Sequence, residues 1–176
     1  MNIVNIHERT LLTSPADAWR LIANLGSKYE LLWPERWPKL RFDRALGLGA
    51  CGGHGPIAYF VEGYVPGELL RCRFTRPRGF EGYHEFRIIP QLGSVTFRHT
   101  MRVRTHGLAS GYWFWVLGPL HDALLEDLMD RASSYSSGHP FHTPWSLRVR
   151  FLRWLLRMLG SGRPPAPRAA TVDSAR

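Results

Sequence analysis

Cys72, His84 and His99 are the residues of this 176-residue chain whose types and spacing invite chemistry. Each stands in a run that alternates apolar and polar residues. Turn signals separate the runs, first Pro77 to Gly79 and then Pro90 to Gly93. A four-residue loop at Pro90 to Gly93 sets Ile89 opposite Ser94, Phe86 opposite Phe97 and His84 opposite His99. Glu85 then meets Arg98 on the other face, an attractive cross-strand pair. A five-residue loop in the preceding hairpin sets Cys72 opposite His84 and Arg71 opposite Glu85. The thiol and the two imidazoles would lie side by side across three strands.

That cluster admits three chemistries. A thiolate and two imidazoles suit a transition metal. His84 and His99 are candidate catalytic residues as an acid–base pair acting on a bound carbonyl or phenol. Otherwise the cluster is a polar spot in an apolar pocket, each imidazole bonded to a neighbour or to water. The polar spot is the reading carried forward, so no metal site is assigned and no cofactor is expected. Glu62 is a second fork. A two-residue loop at Pro66-Gly67 turns it outward, opposite Arg71, with Tyr59 and Val61 facing the core; a three-residue loop turns it inward, opposite Cys72. The outward pair is favoured.

These residues need a sheet to position them. Period-two alternation runs from Leu40 to Arg104 and predicts strands near Leu40–Ala45, Ile57–Val65, Leu69–Thr75, Glu81–Ile89 and Ser94–Arg104. In the last of these Val95, Phe97, His99, Met101 and Val103 share one face. An opening strand is expected over Ile3–Thr13, with Val4 and Ile6 inward against Asn5, His7 and Arg9. Ser14, Pro15 and Asp17 then form a helix start, as cap, first residue and capping-box acid. Ala18, Trp19, Ile22 and Ala23 make that helix's apolar side, and a second short helix is expected over Ser27–Trp33. Pro34 and Pro38 stop it, and Trp33 and Trp37 flank a loop that covers a cavity mouth or plugs the sheet edge. Gly47 to Gly55 reads as a turn without the spacings of a phosphate cradle.

From Ser110 to Tyr135 the period is helical. Trp113, Val116, Leu117, Leu120, Leu124, Leu128 and Ala132 form one stripe, with Asp122, Glu126, Asp127 and Asp130 mostly off it. Gly118-Pro119 predicts a kink or a break, and His121 reads as a helix-surface residue.

The order of elements resembles the helix-grip fold, and the sequence is similar to the SRPBCC superfamily of START domains, Bet v 1-like proteins and polyketide cyclase/dehydrase-like proteins. The resemblance rests on Thr13–Trp19 after the opening strand, Val61–Leu70, Gly82–Gly93 followed by Val95–His99, and Gly118–Leu124, and it covers about residues 3–135. It implies an α+β fold, a curved antiparallel sheet wrapped around a long C-terminal-side helix. It also implies a cavity for a hydrophobic small molecule such as a lipid or polyketide, and it names no reaction. The candidate ligand-binding residues are Leu70, Cys72, Phe74, His84, Phe86, Phe97, His99, Met101, Trp113, Leu117 and Leu120, with Phe60 as a further candidate. An alternative the family allows is a cyclase or dehydratase using the cavity histidines.

Composition bounds the rest. Hydrophobic residues make up 44% and charged residues 21%, which suits a packed domain and not a disordered polymer. The net charge of +9 is uneven: residues 1–137 carry 16 basic against 13 acidic residues, and residues 138–176 carry seven Arg against Asp173 alone. The division expected is therefore a helix-grip domain over 1–137 and an Arg-rich amphipathic helix and disordered tail over 138–176. Within 145–159, Arg150, Arg153 and Arg157 oppose Leu147, Phe151, Trp154, Leu155 and Met158. That side either docks on the domain or on a second subunit as a homodimer, or meets an anionic membrane surface. The near-neutral body argues against nucleic acid. Two cysteines, Cys51 and Cys72, without CxxC spacing suggest no disulfide framework. No signal peptide or membrane span is evident, so a cytoplasmic location is expected, peripheral at the membrane if the basic helix acts there.

Overall fold

A computed structural model describes residues 1–158. Seven strands form one antiparallel sheet: β1 (Asn2–Leu11), β2 (Arg41–Phe42), β3 (Cys51–His54), β4 (Ile57–Val65), β5 (Leu69–Arg76), β6 (Phe80–Gln91) and β7 (Ser94–Thr105). Their order across the sheet is β1-β7-β6-β5-β4-β3-β2. Consecutive hairpins account for β2 to β7, and β1 pairs with β7 at one edge. The helices are α1 (Pro15–Ala23), α2 (Leu108–Tyr112), α3 (Gly118–Ser137) and α4 (Leu147–Met158), with a π-helical turn at Trp113–Leu117 joining α2 to α3. The π turn ends at Gly118-Pro119, where proline removes a helix N–H, so the expected kink is a change of helix type.

Ser14 caps α1 as its sequence requires. Asp17 N–H donates to Ser14 Oγ at 3.1 Å, and the Ser14 hydroxyl donates to the Asp17 carboxylate at 2.7 Å. Leu21 and Ile22 of α1, Leu124, Leu128 and Met129 of α3, and Val61, Ile88, Val95 and Phe97 of the sheet close into one buried cluster. Burial of this apolar surface is the main force holding α3 to the sheet.

Several expectations are corrected. β1 presents its other face inward: Asn5, His7 and Arg9 are the half-buried residues, and Val4 and Ile6 are exposed. The reason lies on α3. Asn5 Nδ2 donates to Asp122 at 2.9 Å, His7 Nδ1 meets Glu126 at 2.9 Å, and Arg9 donates to Glu126 at 2.8 Å. Residues 27–33 form turns and no helix, because the Glu30 carboxylate accepts the backbone N–H groups of Gly26, Leu32 and Trp33. β2 is shorter than expected, and the glycine-rich turn contains β3. Gly52 and Gly53 permit it, since a Cβ on Gly53 would stand 2.2 Å from the Ile57 carbonyl oxygen.

The β5–β6 register is as expected, with Cys72 opposite His84 and Arg71 opposite Glu85. The β6–β7 register is shifted by two residues: Phe86 pairs with His99, Ile88 with Phe97 and Glu85 with Thr100. Pro90 and Gln91 belong to β6, so the loop is Leu92-Gly93 alone. A shift of two keeps every side chain on its face, so His84 and His99 remain neighbours. Tyr59 and Val61 face the core, but Glu62 sits in a bulge between Val61 and Gly63 and pairs with Arg73 instead of Arg71.

On α3, Asp127 and Asp130 are buried. Asp127 accepts from Arg36, from the Trp37 indole at 2.5 Å and from the Trp145 indole at 3.1 Å. α4 docks through Val149, Leu152 and Arg153, the opposite side from that read as its apolar face. Arg153 lies over the Trp37 and Trp145 rings, 4.2 and 4.3 Å from their centroids. Leu147, Phe151, Trp154 and Met158 face outward. The disorder expected for residues 160–176 lies outside the described residues.

Candidate functional site

A cavity of about 390 Å³ lies between the sheet and the α2–α3 helical run, reaching the surface beside the loop at 33–38 and α4. Ten of the eleven residues expected to bind ligand line it. The exception is Phe97, which is fully buried in the packed core one pair along β7 from His99. Phe60 also lies away from it, on the opposite face of β4 from Tyr59. Among the described residues no Asp or Glu lines the cavity, and Glu62 is turned away into its pair with Arg73.

The polar content of the interior is almost entirely imidazole. β7 carries His99, β6 His84, β3 His54 and α3 His121. His84 Nδ1 and His99 Nε2 lie 3.3 Å apart and share one hydrogen bond. His84 stacks on Phe74 at 5.1 Å and meets Tyr59 edge-on at 4.8 Å, and His99 packs against Phe86 at 4.8 Å. His121 stands 5.3 Å from His99 between ring centroids, and His54 packs against Trp33 at 4.7 Å. The alternation of β6 and β7 was enough to find His84 and His99. His54 was hidden in a glycine-rich run, and His121 was missed because the helical stripe placed it at the border of the apolar face.

Burial sets the charge of these groups. It pulls His84 and His54 down to about 3, with neighbouring imidazoles adding a smaller push in the same direction. Burial likewise holds His99 well below the ordinary histidine range and lowers His121 against the opposing pull of Asp122. The Cys72 thiol is pushed up to about 12 by burial and then by the Glu62 charge, and burial raises Tyr59 well above the usual phenol range. At neutral pH the interior is uncharged. Cys72 is a thiol and not a thiolate, so it lacks the form that binds metal or attacks carbon. Among the described residues Cys72, His84 and His99 do not bring three donor atoms to metal-binding spacing, so the metal reading of that trio is not carried forward.

His84 Nε2 and His99 Nδ1 are buried and have no partner among the described residues. Each neutral ring offers one donor and one acceptor, and the bond between the rings uses one atom of each. At the mouth the polarity is of a different kind, because Arg36, Arg153 and Arg157 form part of the rim.

No family model matches the chain, and no curated protein matches it. Solved structures do. Norcoclaurine synthase from Thalictrum flavum, in complex with dopamine and hydroxybenzaldehyde, superposes with a TM-score of 0.61 at 15% identity, covering 81% of this chain and 90% of its own. CalU16 from Micromonospora echinospora gives 0.57 at 11% identity, covering 86% and 82%. The di-domain ARO/CYC StfQ from the steffimycin biosynthetic pathway gives 0.59 at 10% identity, covering 78% of this chain and 51% of its own. At these identities the likeness is one of architecture. The seven-stranded antiparallel sheet closed on a long helix is the Bet v 1-like helix-grip fold, an α+β architecture.

Proposed function

We propose that this protein binds a hydrophobic small molecule in the cavity between the sheet and α3. The observation that carries the reading is the interior itself: about 390 Å³ walled by apolar and aromatic side chains, with four neutral imidazoles and, among the described residues, no carboxylate. That volume falls in the range of ligand pockets, and apolar walls with a few convergent polar groups are their usual chemistry. His84 and His99 are hydrogen-bonding positions for a hydroxyl or carbonyl of the guest. A cyclase or dehydratase role draws less support, because an imidazole held near pKa 3 is a weak base at neutral pH. The structure of norcoclaurine synthase with two small aromatic molecules supports the choice of probe. Native mass spectrometry of the purified protein should find a co-purified apolar molecule. Titration with a naphthalene-sulfonate dye should give saturable binding that Leu117→Trp, which fills the cavity, weakens at least about tenfold, or about 1.4 kcal/mol. Dye binding unchanged by Leu117→Trp would remove the cavity from consideration.

A second reading has its own observation. Leu147, Phe151, Trp154 and Met158 form an exposed row on α4, with Phe151 and Trp154 more than half exposed at 58% and 55%. Phe114 and Trp115 of the π turn are also exposed, and Arg148 ties them to α4 by donating to both of their carbonyl oxygens. Arg150 and Arg157 flank the row. Aromatic and basic side chains in this arrangement favour an anionic bilayer surface, and α4 itself reaches the cavity through Leu156 and Arg157. The reading is thus a peripheral carrier that loads at a membrane. Co-sedimentation with phosphatidylserine-containing vesicles, lost in the double variant Phe151→Ser/Trp154→Ser and absent with neutral vesicles, is the expected result. Equal sedimentation of variant and parent would defeat it.

A further inference from the structure

The edge of the grip, where β1 meets α3, holds a second group of ligating side chains, one of which, His121, also lines the cavity. His7 Nε2 lies 3.4 Å from Asp122 Oδ1, His121 Nδ1 lies 3.8 Å from the same oxygen, and the three donor atoms are all within 4.8 Å of one another. We propose that His7, His121 and Asp122 form a site for a divalent transition metal, with zinc the best fit.

The spacing is the first argument. Zinc holds nitrogen at about 2.0–2.1 Å and carboxylate oxygen at about 2.0–2.2 Å in a tetrahedron, which separates donor atoms by roughly 3.3 Å. The 3.4 Å separation of His7 Nε2 from Asp122 Oδ1 is at that value, and the 3.8 Å separation of His121 Nδ1 from the same oxygen exceeds it by about 0.5 Å. The support around the donors is the second argument. His7 Nδ1 is held by Glu126 Oε1 at 2.9 Å, which fixes the ring with Nε2 facing Asp122 and His121. This is the carboxylate–histidine arrangement that orients metal-binding imidazoles. Arg9 in turn donates to the other oxygen of Glu126 at 2.8 Å, and Asn5 Nδ2 donates to Asp122 at 2.9 Å. The third argument is incompleteness. Two buried polar atoms at this spot, His121 Nδ1 and Asn5 Oδ1, have no hydrogen-bond partner among the described residues.

Donor type selects the metal. Two imidazoles and one carboxylate match zinc and its neighbours and not calcium or magnesium, which take oxygen ligands. With Asp122 half-exposed at the protein surface, the fourth position faces solvent and takes water. The site joins residue 7 to residues 121 and 122, so an ion there clamps the edge strand to the long helix. It does not depend on the cavity reading.

The test uses the intact protein, stripped with EDTA and titrated with Co²⁺ as a spectroscopic stand-in. The expected result is saturable uptake of one ion with visible bands of tetrahedral intensity, displaced by Zn²⁺, and a rise in melting temperature with Zn²⁺ that EDTA reverses. His7→Gln should abolish the bands. Asp122→Asn should do the same and serves if the first variant is unfolded by circular dichroism. Glu126→Gln keeps all three ligands and should weaken binding by about tenfold to a hundredfold. His106→Gln, distant on the surface, should change nothing. Absence of uptake, or uptake that His7→Gln and Asp122→Asn leave unchanged, overturns the site; the latter would mark adventitious surface binding only.

Discussion

Acid should unfold this protein through its interior. His84 and His54 have folded pKa values near 3 because burial penalises the imidazolium, while in the unfolded chain they return to about 6.5. The groups facing His84 offer no relief: Cys72 and Tyr59 are uncharged, and His99 is itself held neutral. Below pH 6.5 the unfolded chain therefore binds protons that the folded chain does not, and stability falls as pH falls. Between pH 7 and pH 5 each of the two rings costs about 2 kcal/mol, so the pair costs about 4 kcal/mol before water entering the cavity solvates part of the charge. That is a large fraction of the roughly 5–15 kcal/mol by which domains are stable. His7 works in the opposite direction: burial lowers it, but the bonds from Asp122 and Glu126 outweigh that and raise it. Its contribution is present below pH 6.5 and lost as pH rises through the folded value, so it offsets part of the acid loss. Urea unfolding in metal-free buffer at pH 7, 6 and 5, followed by tryptophan fluorescence, should show a midpoint that falls steadily. His84→Gln should remove about 2 kcal/mol of the loss between pH 7 and pH 5, His99 and His121 contributing to what remains. A stability at pH 5 within about 1 kcal/mol of that at pH 7 would refute the claim that these imidazoles are held neutral.

Three further expectations are simpler. Asp127→Ala should cost about 3–5 kcal/mol in urea unfolding, because it strands Arg36 and two indoles at a buried position; tryptophan emission should shift to the red in the folded state. Phe97→Ala should cost about 3–5 kcal/mol, yet the surviving folded protein should bind dye with unchanged affinity, since Phe97 packs the core without lining the cavity. Ser14→Ala should cost about 1 kcal/mol by removing the cap of α1, measured as a lower urea midpoint with an unchanged m-value.

What could be read in advance was what depends on neighbours in the chain. The bounds of β4, β5, β6 and β7 follow from alternation between turn residues, and the Cys72–His84 pairing follows from one loop length and one charge pair. The β6–β7 register slipped because Pro90 signals a turn although it pairs with Val95, as a proline can at a strand's end. The slip was by two, so the face assignment survived. The misread features depend on partners far along the chain. Asn5, His7 and Arg9 look like the solvent face of β1 until Asp122 and Glu126 of α3 are placed against them. Asp127 looks like helix surface until Arg36, Trp37 and Trp145 converge on it. The same blindness reversed α4, where Arg153 finds two indoles and turns inward while Phe151 and Trp154 turn out.

Asp127 also imposes an order of assembly. Its partners come from both sides of it in the chain: Arg36 and Trp37 precede it by some ninety residues, and Trp145 follows it by 18. A nascent chain emerging from its N-terminus can join the first two as soon as α3 forms. The third arrives only when synthesis has passed the helix altogether. Until then the Trp37 ring lacks the tryptophan that packs against it at 5.7 Å and the guanidinium that lies over it. The wall beside the cavity mouth is therefore completed by residues that look, along the chain, like an appendage.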